Sequence, residues 1–140
     1  MYKFAIFAIA LLSSGFAQAQ NLSYGDYSKE YTTCLEKISW DSEDADRQME
    51  NCRLQECEEL AKEIDKLLPA VLAMPKFKEY NSMHNITLSE SVQMRKKYGE
   101  AFCEMDTNIR GHSRALSQCR LTMLNNLYID LHNLYNAAKK

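Results

Sequence analysis

The 140-residue sequence is poor in the signals that mark most functional classes. No long stretch alternates apolar and polar residues, which argues against a β-sheet protein. There is no G-x-S-x-G, H-E-x-x-H, phosphate-binding glycine loop or C-x-x-C, so the common hydrolase, zinc-protease, nucleotide-binding and redox motifs are absent. Three histidines, His84, His112 and His132, are scattered too widely along the chain to indicate a metal site. No catalytic residue, metal ligand or cofactor is therefore expected. Positive charge is not in excess, which gives no general case for nucleic acid or an anionic membrane as partner. No apolar run after the N-terminus reaches membrane-spanning length.

What is present begins with a signal-peptide pattern over residues 1–19. Lys3 supplies a positive start, Phe4 to Leu12 an apolar run, and Ala17-Gln18-Ala19 a cleavage motif. Cleavage after Ala19 is expected to leave residues 20–140 as one periplasmic or secreted domain, with 16 Lys+Arg against 19 Asp+Glu. That length supports one modest core.

All five cysteines fall in this mature chain. With one left over they allow about 15 pairings, so spacing has to guide the choice. Cys103 and Cys119 lie 16 positions apart around a polar turn, Gly111-His112-Ser113, between two amphipathic segments; Cys34 and Cys52 lie 18 apart around another. Each spacing suits a disulfide that staples an αα-hairpin. Cys52 and Cys57 project about 140° apart on a helix and do not bridge while it is intact. Cys57 is then the candidate free thiol, read first as a small buried apolar residue.

The expected fold is all-α: a small helical bundle of two disulfide-stapled αα-hairpins. Residues 20–27 read as a loosely held lead-in. Tyr31, Cys34, Leu35 and Ile38 form one helical face, with Ser28 as cap. From Asp44 to Leu72 a stripe of Met49, Cys52, Leu60, Ile64, Leu67 and Val71, widened by Cys57 and Leu68, predicts a long helix. Pro69 is expected to kink or end it, and Pro75 to stop it. Residues 76–85 read as a connector. Thr87-Leu88-Ser89-Glu90 fits a capping box opening a helix whose face is Leu88, Val92, Tyr98, Phe102 and Met105, with Arg95, Lys96 and Lys97 solvated. Ser113 is placed to cap the last helix, which repeats Leu116, Cys119, Met123, Leu127, Leu131, Leu134 and Ala138.

Charge is distributed unevenly. Residues 41–59 hold eight acids against Arg47 and Arg53, whereas residues 91–140 hold eight bases against four acids. The acidic stretch is first a helix face with acids near its N-terminus, which already stabilises a helix. It is also the best hint of a site, because it can steer a basic partner. The candidate partner-binding residues are Asp44, Asp46, Glu50 and Trp40. Trp40 is expected to pack in the core, with an exposed binding anchor as the alternative. The sequons at Asn21 and Asn85 matter only in a glycosylating pathway.

Two blocks carry a resemblance. The first is Cys34, then Met49-Glu50-Asn51-Cys52 with Glu56 four residues on. The second is Tyr98-x4-Cys103, the Gly111-His112-Ser113 turn, Cys119, and an amphipathic segment reaching Leu131. Together they resemble the LprI type of secreted bacterial helical proteins, named for a lysozyme inhibitor. Cys57 is extra to that pattern. The resemblance implies disulfides Cys34–Cys52 and Cys103–Cys119, a bacterial envelope setting, and a non-enzymatic protein whose basic partner is a c-type lysozyme. The alternatives are a structural or scaffold domain of the envelope, or an immunity-type protein that neutralises a toxin.

Overall fold

A computed structural model describes residues 21–83, 87–111 and 114–139. The expected signal-peptide segment, His84, Asn85 and the turn residues His112 and Ser113 lie outside them, so the expected Ser113 cap does too. The described residues form five helices and no strand: α1 (Lys29–Glu36), α2 (Ala45–Leu72), α3 (Pro75–Met83), α4 (Leu88–Arg110) and α5 (Arg114–Ala138).

Disulfide Cys34–Cys52 ties α1 to α2 and Cys103–Cys119 ties α4 to α5, so each helical hairpin carries one staple. Cys57 is free. The two hairpins join chiefly along α2 and α5, and α5 also packs along α4. One core cluster gathers Tyr31, Ile38, Cys52, Leu60 and Leu121; the next gathers Ile64, Leu68, Val92, Leu127 and Leu131. Leu124 and Tyr128 of α5 touch both clusters, which makes α5 the shared wall of the core.

Local chemistry explains most helix boundaries. The Ser28 hydroxyl accepts from Tyr31 N–H and caps α1. Thr87 and Glu90 close the capping box of α4 reciprocally, and Gly111 ends that helix in the left-handed region at φ 70°. Pro69 does not end its helix near Leu68, while the stop expected at Pro75 holds. The helix α2 runs through Pro69 to Leu72. Pro69 and Asp65 both lie on its exposed side, where water can take the Asp65 carbonyl that proline cannot pair. Pro75 opens α3 rather than marking a connector: its missing N–H costs nothing at a first helical position.

The faces of α4 and α5 also depart from the periodicity. On α4 the buried residues are Val92, Gly99 and Cys103, while Tyr98 and Met105 are more than half exposed and Phe102 is 38% exposed. The Cys103 staple and the glycine set this orientation: a Cβ added at Gly99 would meet Met123 atoms 3.3–3.6 Å away, so the two helices approach closely there. On α5 the deepest side chains are Leu121, Ile129 and Leu131, and Leu134 is exposed. This helix is enclosed by two neighbours, so a single stripe does not describe it.

The lead-in is held, not loose. Asn133 of α5 accepts from Leu22 N–H at 2.9 Å and donates to the Leu22 carbonyl at 2.8 Å. The buried Asn125 side chain donates to the Asp26 carbonyl, and the Tyr24 hydroxyl donates to Asp130. Glu56, only 3% exposed, takes both donors of Ser28: the backbone N–H at 3.1 Å and the hydroxyl at 2.6 Å. Its carboxylate therefore sits at the N-terminus of α1, where a negative charge is favoured.

Candidate partner-binding surface

The connector from α1 to α2 is braced from both sides. Cys34–Cys52 fixes α1 to α2 behind it, and Ile38 buries its side chain to 6% exposure. Ser39 N–H donates to the Gln48 side chain at 3.2 Å, Ser42 N–H to the Ser39 carbonyl at 2.9 Å, and Asp44 N–H to the Ser42 hydroxyl at 3.1 Å. These bonds brace the turn from within and from α2.

That turn displays the only tryptophan. Trp40 is 61% exposed, so the core position expected for it is wrong. The buried slot on this connector belongs to Ile38 two residues earlier. Asp41, Glu43, Asp44 and Asp46 are all exposed around the same turn and the first turn of α2. Arg47 pairs with Asp44 at 2.9 Å and is itself largely solvated, which leaves the patch acidic. Asp44 occupies the N-cap position of α2 but makes no side-chain cap bond, so its carboxylate stays on the surface.

Glu50 belongs elsewhere. It is half-buried and accepts a short hydrogen bond from the Ser117 hydroxyl of α5, with Arg53 at 4.0 Å. Its chemistry is spent on joining the two hairpins. Of the four predicted contact residues, Trp40, Asp44 and Asp46 share the exposed end, while Glu50 faces inward.

Two clefts lie along the bundle. The larger, about 380 Å³, runs between α2, α4 and α5, with Cys57, Met123 and Leu127 in its wall and Lys96, Lys97 and Arg120 around it. Burial, the main cause, pushes the Cys57 thiol up to about 11 from 9.0, with the Glu56 charge adding to it. A protonated thiol is a poor nucleophile and metal ligand at neutral pH. We expect iodoacetamide to label folded Cys57 slowly at neutral pH, with the rate climbing as pH approaches about 11. Labelling at the speed of an exposed thiol would show that the site is open. The same shift stabilises the fold below pH 9.0, and this contribution is lost as the pH rises toward about 11.

The smaller cleft, about 260 Å³, lies between the lead-in, α2 and α5 and has Glu56, Glu59, Glu63, Tyr27 and Tyr128 in its wall. Lys62 and Lys66 bind Glu59 and Glu63 at 2.7 and 2.6 Å, so those two acids are already neutralised. His132 stands beside Asn136 at 3.3 Å and against the Tyr128 ring. Among the described residues no three His, Cys, Asp or Glu side chains converge as metal ligands, and no helix is long and apolar enough to cross a membrane.

Sequence reasoning missed Glu56 as a buried partner of Ser28. It sits four residues after Cys52 and before Leu60, on the buried face itself, and a lone acid there signals a satisfied internal carboxylate. The chain matches no protein-family model, no curated protein and no solved structure.

Proposed function

We propose that this is a secreted or periplasmic binding protein that takes a basic protein partner at the Trp40 end, in the manner of a lysozyme inhibitor. The observation that carries the reading is Trp40, 61% exposed amid Asp41, Glu43, Asp44 and Asp46 on a stapled, internally hydrogen-bonded turn. A tryptophan surrounded by charge of one sign is the composition of an interface hot spot with an electrostatic rim. The bracing lowers the entropy lost on binding, because the turn is ordered beforehand. Two disulfides support an oxidising compartment.

The resemblance to LprI-type proteins names the partner: a basic, c-type muramidase. The test is lysis of a cell-wall suspension by such a lysozyme, with the oxidised protein added at low and physiological salt. Salt-sensitive inhibition is expected. Trp40→Ala should weaken it by about 2 kcal/mol, roughly thirtyfold. Reversing Asp44 and Asp46 to Arg should weaken it and flatten its salt dependence. Glu50→Gln should leave the affinity unchanged, since Glu50 is turned toward α5. Equal inhibition by the wild type and the Trp40→Ala protein would remove the site; no inhibition in large excess would remove the lysozyme reading.

A further inference from the structure

A different face of the molecule, on α4, is apolar and exposed. On α4, Met94, Tyr98, Phe102, Met105 and Ile109 are 60, 64, 38, 54 and 77% exposed. Their spacings of four, four, three and four residues keep them within about 80° of one another around a helix that turns about 100° per residue. They form one apolar stripe about 22 Å long, directed away from the buried Val92, Gly99 and Cys103. From ordinary side-chain areas they expose roughly 600 Å², the upper end for a patch on a monomer. Closing two such stripes on each other removes about 1,200 Å² in all, which reaches the range of specific protein interfaces.

The charges beside the stripe say what covers it. Lys97 and Glu104 are seven residues apart and lie on one edge; Arg95 and Asp106, eleven apart, lie on the other. In an antiparallel two-fold pair of helices each edge meets the same edge of the copy. Centring the pair at Ala101 and Phe102 sets Met94 against Ile109 of the second copy and Tyr98 against its Met105. In that register Glu104 of the second copy lies two residues, about 3 Å along the axis, from the level of Lys97, and its Asp106 lies equally far from Arg95; both offsets are within side-chain reach, and the symmetry repeats them. Among the described residues Lys97 makes no ion pair, and Glu104 is only loosely held, with Arg120 at 3.6 Å. Arg95 and Asp106 already pair with Asp130 and Arg110, so the Lys97–Glu104 edge is the decisive one. A parallel pair would instead set Lys97 against Phe102 and draw Arg95 to Glu90, whose carboxylate is engaged in the α4 capping box.

We propose that the protein forms a two-fold symmetric homodimer through antiparallel packing of α4 on α4. This goes beyond the Trp40 end, which lies on a different hairpin. The experiment is sedimentation equilibrium of the oxidised protein from low to high micromolar concentration, with a non-reducing gel alongside. A reversible, non-covalent dimer is expected. Tyr98→Glu and Met105→Glu should each raise the dissociation constant about tenfold or more while the circular dichroism spectrum stays helical. Lys97→Glu should weaken the dimer, and Lys97→Glu combined with Glu104→Lys should restore it. A monomer throughout the range would overturn the proposal, as would a dimer indifferent to Tyr98→Glu. Failure of the charge swap to restore association would overturn the antiparallel register. A covalent dimer on the gel would assign association to Cys57 instead.

Discussion

Without its two disulfides the protein should be largely unfolded at physiological temperature. Cys34–Cys52 and Cys103–Cys119 close loops of 18 and 16 residues. Each restricts the unfolded chain by an amount worth about 3 kcal/mol, so the two together are worth about 6 kcal/mol. A domain of this size has a total stability of roughly 5–15 kcal/mol. The losses also fall on weak elements. Helix α1 has only eight residues, too few to hold itself in water, and depends on its staple and on Glu56 at its N-terminus. The sulfurs are well enclosed, with Cys103 wholly buried and Cys52 at 4% exposure, so alanine at these positions also leaves unfilled space. Circular dichroism melts should show each single staple removal lowering Tm by about 10 °C, and reduction of both lowering it by about 20 °C or abolishing the transition. A melt that moves only a few degrees on full reduction would mean that the helical core stands alone.

Ile64→Ala should be the most damaging single substitution in the core, at about 3–4 kcal/mol. Ile64 is completely buried on α2 and clusters with Leu68, Val92, Leu127 and Leu131, where α2, α4 and α5 meet. Three helices meeting around it leave little room for collapse into the cavity, which raises the cost. Ile64→Val, which removes a single methylene, should cost about 1 kcal/mol. Leu134→Ala is the informative contrast. Leu134 carries the heptad-like spacing of α5, yet it is 39% exposed, so its loss should cost under about 1 kcal/mol. Denaturant melts of the three variants separate the outcomes. Equal costs at Ile64 and Leu134 would mean that α5 is rotated from the orientation described.

The contrast between these two residues shows how far the sequence could be read. Helices α1, α2, α4 and α5, both hairpins, the Ser28 cap and the Thr87–Glu90 box were legible because each rests on local chemistry. The choice between two apolar faces of α4 was not, because periodicity counts apolar residues without saying which of them has a neighbour. The needed signal was present in the cysteines. Once Cys103 must reach Cys119, the inward face passes through Val92, Gly99 and Cys103, and Tyr98, Phe102 and Met105 are carried outward. The helix that Pro75 opens and the hold on the lead-in were missed for a related reason. A proline at a first helical position looks like a stop, and a polar segment held by the side-chain amides of Asn125 and Asn133 has no pattern of its own. At the acidic end, the charge of Asp44 and Asp46 was readable. The exposure of Trp40 depended on which of two nearby apolar residues, Ile38 or Trp40, took the buried slot.

Each disulfide lies within one hairpin, and none crosses between α2 and α5. Under tension applied at the two ends, the α2–α5 seam is then a purely non-covalent joint, while each staple caps how far its own hairpin can be drawn out. A pulled oxidised chain should part first along that seam and stop roughly 100 Å short of the extension of the reduced chain, at about 3.4 Å per residue locked inside the two loops. The seam is the place where the molecule yields, and the staples turn each half into a link of fixed length.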